Sequence, residues 1–154
     1  MAYETTKNLV IENTRLIFRN FSGNETRFNR NGNRNFCVII DNPEQAEELR
    51  NEGWNVHTLR PSDDEEDERY YIQVAVSFGY IPPKVFTVTR KGKTQLDEES
   101  IGTLDFAEIS NVDLTIRPYH WEVNGKTGIK AYLKTMYVTI DEDEFADKYA
   151  DENY

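Results

Sequence analysis

Cysteine is almost missing from this chain: Cys37 is the only one in 154 residues. One thiol excludes an internal disulfide framework and leaves too few ligands for a Cys-rich zinc site. It lies in the apolar run Phe36-Cys37-Val38-Ile39-Ile40, where a buried, inert thiol in a reducing compartment is the expectation. Glycine and proline are sparse as well, at 8 and 5 residues, which excludes collagen-like and wholly disordered chains. Nothing approaches the roughly 18 consecutive apolar residues of a membrane-spanning helix. The first seven residues lack the apolar centre of a signal peptide, so a cytoplasmic protein is expected.

Catalytic constellations are missing too. The carboxylates fall in hydrophilic runs rather than in an isolated pair. His57 and His120 have no His, Cys or Asp neighbour at metal-ligand spacing. There is no Gly-rich phosphate loop and no nucleophile elbow. The expectation is a protein that is not an enzyme and carries no cofactor and no metal.

An overall excess of positive charge is also lacking. The net charge of -10 on its face argues against a phosphate-rich partner, because phosphate binding draws on Lys and Arg. The distribution reverses that reading. Residues 1–40 hold six basic residues against three acidic ones, and residues 84–94 hold Lys84, Arg90, Lys91 and Lys93 with no acid. The acid sits in six consecutive residues, 63–68, and in residues 141–154, where seven acids face one Lys. Like charges in blocks repel within a compact element, so both read as loop or tail.

What is plentiful is aromatic side chain: nine Tyr, eight Phe and two Trp. Residues 9–21 are rich in β-branched and aromatic residues and read as one or two strands with a break near Asn13. A turn-forming loop follows, with Gly23, Gly32 and several Asn, and then a strand over residues 34–41. Asn42-Pro43-Glu44 has the cap, the proline and the first-turn acid of a helix start, and Gly53 ends that helix. Strands are expected at residues 54–59, 70–78 and 84–89, the last ending in a turn at Lys91-Gly92-Lys93. A helical turn is expected near residues 97–104. Residues 112–123 and 128–140 form a hairpin around Asn124-Gly125, the strongest hairpin signal in the chain. About seven short strands, one clear helix and no repeat predict a mainly β, closed or nearly closed antiparallel barrel, with a β-sandwich as the structural rival.

Basic residues interleave with aromatics and amides in two places. The first group holds Arg15, Arg19, Phe21, Arg27, Phe28, Arg30 and Arg34, joined along the chain by Lys91 and Lys93. The second holds Arg117, Tyr119 and Trp121 on one strand, with Lys130, Tyr132 and Lys134 on the next. This combination suits single-stranded nucleic acid: cations meet phosphates, ring faces stack on bases and amides hydrogen-bond to either. Period two makes Phe18 and Phe36 candidates for the core. Phe21 and Phe28, beside the polar loop, read equally well as core or as stacking surface. A strand face of Arg, Tyr and Trp beside one of Lys, Tyr and Lys is unusual for core and reads as binding surface.

The stretches Phe18-Arg19-Asn20-Phe21-Ser22-Gly23, Phe28-Asn29-Arg30-Asn31-Gly32-Asn33-Arg34-Asn35-Phe36-Cys37-Val38, Gly53-Trp54-Asn55-Val56 and Ile116-Arg117-Pro118-Tyr119-His120-Trp121-Glu122-Val123-Asn124-Gly125 resemble bacteriophage single-stranded DNA-binding proteins. The resemblance covers most of residues 8–145. It implies an OB-type barrel of about five to seven strands with one or two short helices, occupying residues 1–140, and single-stranded DNA as partner in the cytoplasm of an infected bacterium. It also implies an acidic tail, residues 141–154, that recruits replication or recombination proteins through Asp141, Glu142, Asp143, Glu144, Phe145, Asp151, Glu152 and Tyr154. An anionic tail can in addition occupy its own domain's cationic groove. The rival reading is an acidic module that mimics DNA and occupies the basic site of a nucleic-acid enzyme, which leaves the clustered cations unexplained.

Overall fold

Residues 7–27, 32–59, 68–79 and 81–141 are described in a computed structural model of the protein. Nine strands, one α-helix and one 3-10 helix account for most of them. The strands are β1 (Leu9–Thr14), β2 (Leu16–Asn20), β3 (Arg34–Ile40), β4 (Val56–Leu59), β5 (Arg69–Val76), β6 (Lys84–Thr89), β7 (Gly92–Leu96), β8 (Ile109–Val123) and β9 (Lys126–Ile140). Helix α1 (Pro43–Glu52) lies between β3 and β4, and the 3-10 helix Ile101–Asp105 lies between β7 and β8.

The strand path runs β1-β8-β9-β5-β3-β2, and its two ends are halves of one bent strand separated by Arg15. The Ile39 amide donates to the Arg15 carbonyl (3.0 Å), and the buried Thr14 hydroxyl donates to the Ile39 carbonyl (2.7 Å). These bonds tie the bend to β3, so five strand positions wrap into a partly open, OB-type barrel. β5 and β9 pair in parallel, and all other pairs along this path are antiparallel. The break expected near Asn13 is present: Asn13 has φ 55°, and the register with β8 shifts between Ile11 and Thr14.

Alternation fills the barrel. Phe36, Val38 and Ile40 of β3 meet Ile72, Val74 and Val76 of β5, Ile129, Ala131, Leu133, Met136 and Val138 of β9, and Val112, Leu114 and Ile116 of β8. Ile101 and Leu104 of the 3-10 helix are fully buried in the same core. That helix is fastened to β2: the Arg19 guanidinium donates to the carbonyls of Leu104 and Ala107 (2.8 Å each), and the Asp105 carboxylate accepts from the amides of Phe21 and Ser22 (2.6 and 3.1 Å). Helix α1 starts as its sequence dictates, with the Asn42 side chain accepting from the amides of Glu44 and Gln45, and it buries Ala46 and Leu49.

The strand count exceeds the expected five to seven for identifiable reasons. The first strand divides at Arg15, and the chain after Gly92 returns along β6 as β7, whose exposed Lys-Thr-Gln sequence has no apolar alternation to betray it. Strand β6 pairs in parallel with β9 beyond the β5 contact. The helical turn expected at residues 97–104 is the 3-10 helix. Among the described residues no helix is long and apolar enough to cross a membrane.

One local irregularity exchanges two aromatic residues. The β2–β3 register shifts between Ile17 and Asn20, and Phe18 adopts φ 50° at that bulge. The shift reverses the alternation that makes Phe18 a core candidate. Phe18 is 61% exposed, while Phe21, a candidate for stacking on a base, is fully buried and stacks on Phe36 with ring centroids 5.0 Å apart. Phe36 is core as expected. Cys37 is buried too, and burial pushes its thiol up to about 11, where it is inert at neutral pH.

Candidate nucleic-acid interface

The outward face of the barrel follows from the pairing registers. Arg117 of β8 stands opposite Tyr132 of β9, Tyr119 opposite Lys130, and Trp121 opposite Gly128. Opposite residues of an antiparallel pair share a face, so these side chains form one surface. On the other edge of β9, Tyr132 pairs with Ala75 of β5, and Ala75 pairs with Asn35 of β3. The face therefore crosses the sheet in polar and aromatic rows.

Tyr132 organises the cations of the hairpin. The Arg117 guanidinium and the Lys130 ammonium each lie 5.2 Å from its ring centroid, and Tyr119 meets it edge to face at 6.1 Å. Two cations on one ring leave it little open surface for a base, so its contribution is to hold positive charge in place. The rings left open are Tyr119, 53% exposed, and Trp121, 39% exposed. Exposed rings of this size are informative because burial is their ordinary state.

Two glycines make the hairpin possible. Asn124 and Gly125 both have positive φ, 52° and 79°, as the two-residue turn between such strands requires. Gly128 provides room: a Cβ built there would lie 2.6 Å from Cζ2 of Trp121 and 2.8 Å from Cε2. The indole therefore lies across the strand where any other residue would push it off.

A groove of about 700 Å³ opens beside this hairpin. It lies where β4 and β9 share one edge of β5: β4 pairs with Arg69 to Ile72 and β9 with Val74 and Ala75, and Trp54, ahead of β4, bridges to Ile129 of β9. Trp121, Lys130 and Tyr132 line it together with His57 and Asn55 beside β4 and with Asn35 and Gln73 on the outward face of β3 and β5. Among the described lining residues none is Asp or Glu. In a chain with 28 acids against 18 bases, an acid-free groove edged by Lys130 and Arg34 is a local inversion of charge.

The other expected residues fall in different places. Arg34 lines the groove, but its guanidinium donates to the Phe21 carbonyl (2.7 Å), lies 3.8 Å from a Glu98 oxygen and covers the Phe78 ring. Arg19 serves the 3-10 helix. Arg15 is exposed and paired with Asp41 at 3.6 Å. Arg27 is exposed beside the loop, and Phe28 and Arg30 lie outside the described residues. Lys134 sits at the irregularity where the β8–β9 register shifts between Thr115 and Ile116. It is exposed but does not line the groove with Lys130 and Tyr132. Lys91 is exposed at the β6–β7 turn. The Lys93 ammonium lies over Phe86 and Tyr137, a stacked pair of rings on the outward surface of β6 and β9. Of the tail, only Asp141 is described, its amide donating to the Glu108 carbonyl at 2.8 Å. Glu142, Asp143, Glu144, Phe145, Asp151, Glu152 and Tyr154 lie outside the described residues. The sequence offers no signal for Asn55 and Gln73 beyond period-two alternation beside stronger apolar neighbours, whereas Asn35 stands among the amides of the first basic group and His57 reads as a surface or stacking residue rather than a ligand.

A partly open OB-type barrel whose groove has no Asp or Glu among its described lining residues is the class of protein that this fold and groove define. Residues 1–153 match the family described as "Putative phage ssDNA-binding domain", and the chain belongs to that family. Among solved structures it is similar to the single-stranded DNA-binding protein from bacteriophage Enc34, with TM-score 0.59 and 12% identity over 92% of this chain and 89% of that one. It is also similar to that protein in complex with ssDNA, with TM-score 0.61 and 13% identity over 90% of this chain and 89% of that one. At this identity the likeness is one of fold. No curated protein sequence matches the chain.

Replacing Gly128 with Val tests the packing of the indole. In a Trp54→Phe background, Gly128→Val should shift Trp121 emission to the red and raise its accessibility to iodide. The melting temperature should change little, because valine suits a strand. Unchanged emission and accessibility would contradict the geometry.

Proposed function

We propose that this protein binds single-stranded DNA without reading its sequence and protects it during phage replication or recombination in the host cytoplasm. The observation that carries the proposal is the β8–β9 hairpin, where Arg117 and Lys130 are held on the Tyr132 ring while Tyr119 and Trp121 stay open. Ring faces accept any base, which favours sequence tolerance, and they need unpaired bases, which favours single strands over duplex. The amides of Asn35, Asn55 and Gln73 suit base edges or sugar–phosphate oxygens within the groove. Family membership supports DNA as the polymer. In this reading residues 1–140 are the binding domain.

Mobility shift with oligo(dT) and with duplex of equal length tests the proposal. The single strand should bind more tightly, and its affinity should fall steeply as salt rises. Tyr119→Ala and Trp121→Ala should each weaken binding by about 1 to 3 kcal/mol. Equal affinity for duplex, or no binding at low salt even without the tail, would contradict it and favour the DNA-mimic reading.

The same proposal assigns residues 141–154 as an acidic tail that competes for the groove and is offered to replication or recombination proteins when DNA displaces it. The geometry permits the competition. Lys130 and Ile140 are ten steps apart on β9, about 33 Å of strand, and the 13 residues of 142–154 span at most about 45 Å when extended. Deleting residues 142–154 should tighten oligo(dT) binding several-fold at low salt, with the difference fading as salt screens the tail. Unchanged or weaker binding would overturn this part.

A further inference from the structure

Phe18 is held where a bulky side chain ordinarily is not. Its φ of 50° belongs to the left-handed region, which a phenylalanine enters at a cost. The return for that strain is not burial, because the ring is 61% exposed. Strain that the fold tolerates for a ring left mostly open points to a use for the side chain at that position.

The neighbours of Phe18 show what the use is. Its ring meets Tyr71 edge to face with centroids 5.8 Å apart, and Tyr71 stacks on His57 at 5.1 Å and 18°. His57 lines the same groove as Trp121 and Lys130, and it sits on β4 rather than on the hairpin. Three rings in successive contact therefore lead from the groove wall to the open surface. Beside them on β3, Ile39 pairs with Tyr71 and Cys37 with both Gln73 and Ile17, and Ile39 and Cys37 are buried although neither belongs to the barrel's core cluster.

We propose that Phe18, Tyr71 and His57 form a second base-stacking platform apart from the β8–β9 hairpin, and that the bulge in β2 exists to present Phe18 to a nucleotide. The inference rests on the single-strand reading above and extends it. A bound strand runs from Tyr119 and Trp121, over the groove floor at Gln73 and Asn35, onto the platform. The hairpin supplies both rings and cations, whereas the platform supplies rings, so it adds stacking without a large electrostatic share.

Phe18→Gly separates a binding role from a structural one. Glycine adopts the left-handed backbone freely, so the melting temperature should stay close to that of the wild type. Affinity for a long oligo(dT) should fall by about 5-fold or more, the lower end of base–aromatic stacking. The dependence of log affinity on log salt should keep its slope, because no cation is removed. The loss should disappear on the shortest oligo(dT) that still engages the hairpin. Phe18→Leu carries the same expectation and serves where glycine costs the fold. A variant that binds long oligo(dT) as tightly as the wild type overturns the platform and leaves the hairpin reading intact. A wild type that binds no oligo(dT) removes both.

Discussion

The pairing of β9 is the constraint on which the rest depends. Along one edge it runs antiparallel to β8 for almost the whole length of both strands, and its other edge is shared in succession by β5 and β6. The register with β8 decides that Arg117, Tyr119 and Trp121 share a face with Tyr132, Lys130 and Gly128. The register with β5 decides that this face continues across the sheet. A slip of one residue would send Lys130 and Tyr132 into the core and Ile129, Ala131 and Leu133 into water, so burial of those apolar residues and placement of the cations are secured by the same interaction.

The second organising fact is charge separated by place. Net charge describes the whole chain, but a bound polymer meets only the face it touches, because at physiological salt the reach of exposed charge is about 8 Å. The described residues lining the groove carry no acid. A second cleft, near Arg15 and Arg19, also contains Asp105, Glu108 and Asp141, and its Arg19 is committed to backbone carbonyls. The two clefts differ in what an anion would encounter, and the difference follows from which side chains the fold has already used.

Much of this was legible in the sequence where local rules act without interference. Asn42, Pro43 and Gly53 bounded α1, Asn124-Gly125 located the long hairpin, and period two placed Arg117, Tyr119 and Trp121 together. Legibility failed at bulges, where a single extra residue reverses the alternation. That is why Phe18 and Phe21 exchanged roles and why Lys134 parted from Lys130 and Tyr132. It failed again for Arg19 and Arg34, because a cation's long-range hydrogen bonds to carbonyls leave no trace in nearby sequence. The groove floor was hard to read for a related reason: Asn55 and Gln73 meet Asn35 only because β4 and β9 share one edge of β5.

The central claim is that bases stack on the exposed hairpin rings, and the two tryptophans report on it separately, since Trp54 is 3% exposed and Trp121 39%. Tryptophan emission should be followed during oligo(dT) titration of Trp54→Phe and Trp121→Phe. The account predicts quenching in Trp54→Phe, where Trp121 is the sole indole, and none in Trp121→Phe. Quenching that persists in Trp121→Phe, or is missing from a Trp54→Phe protein that binds, would contradict it.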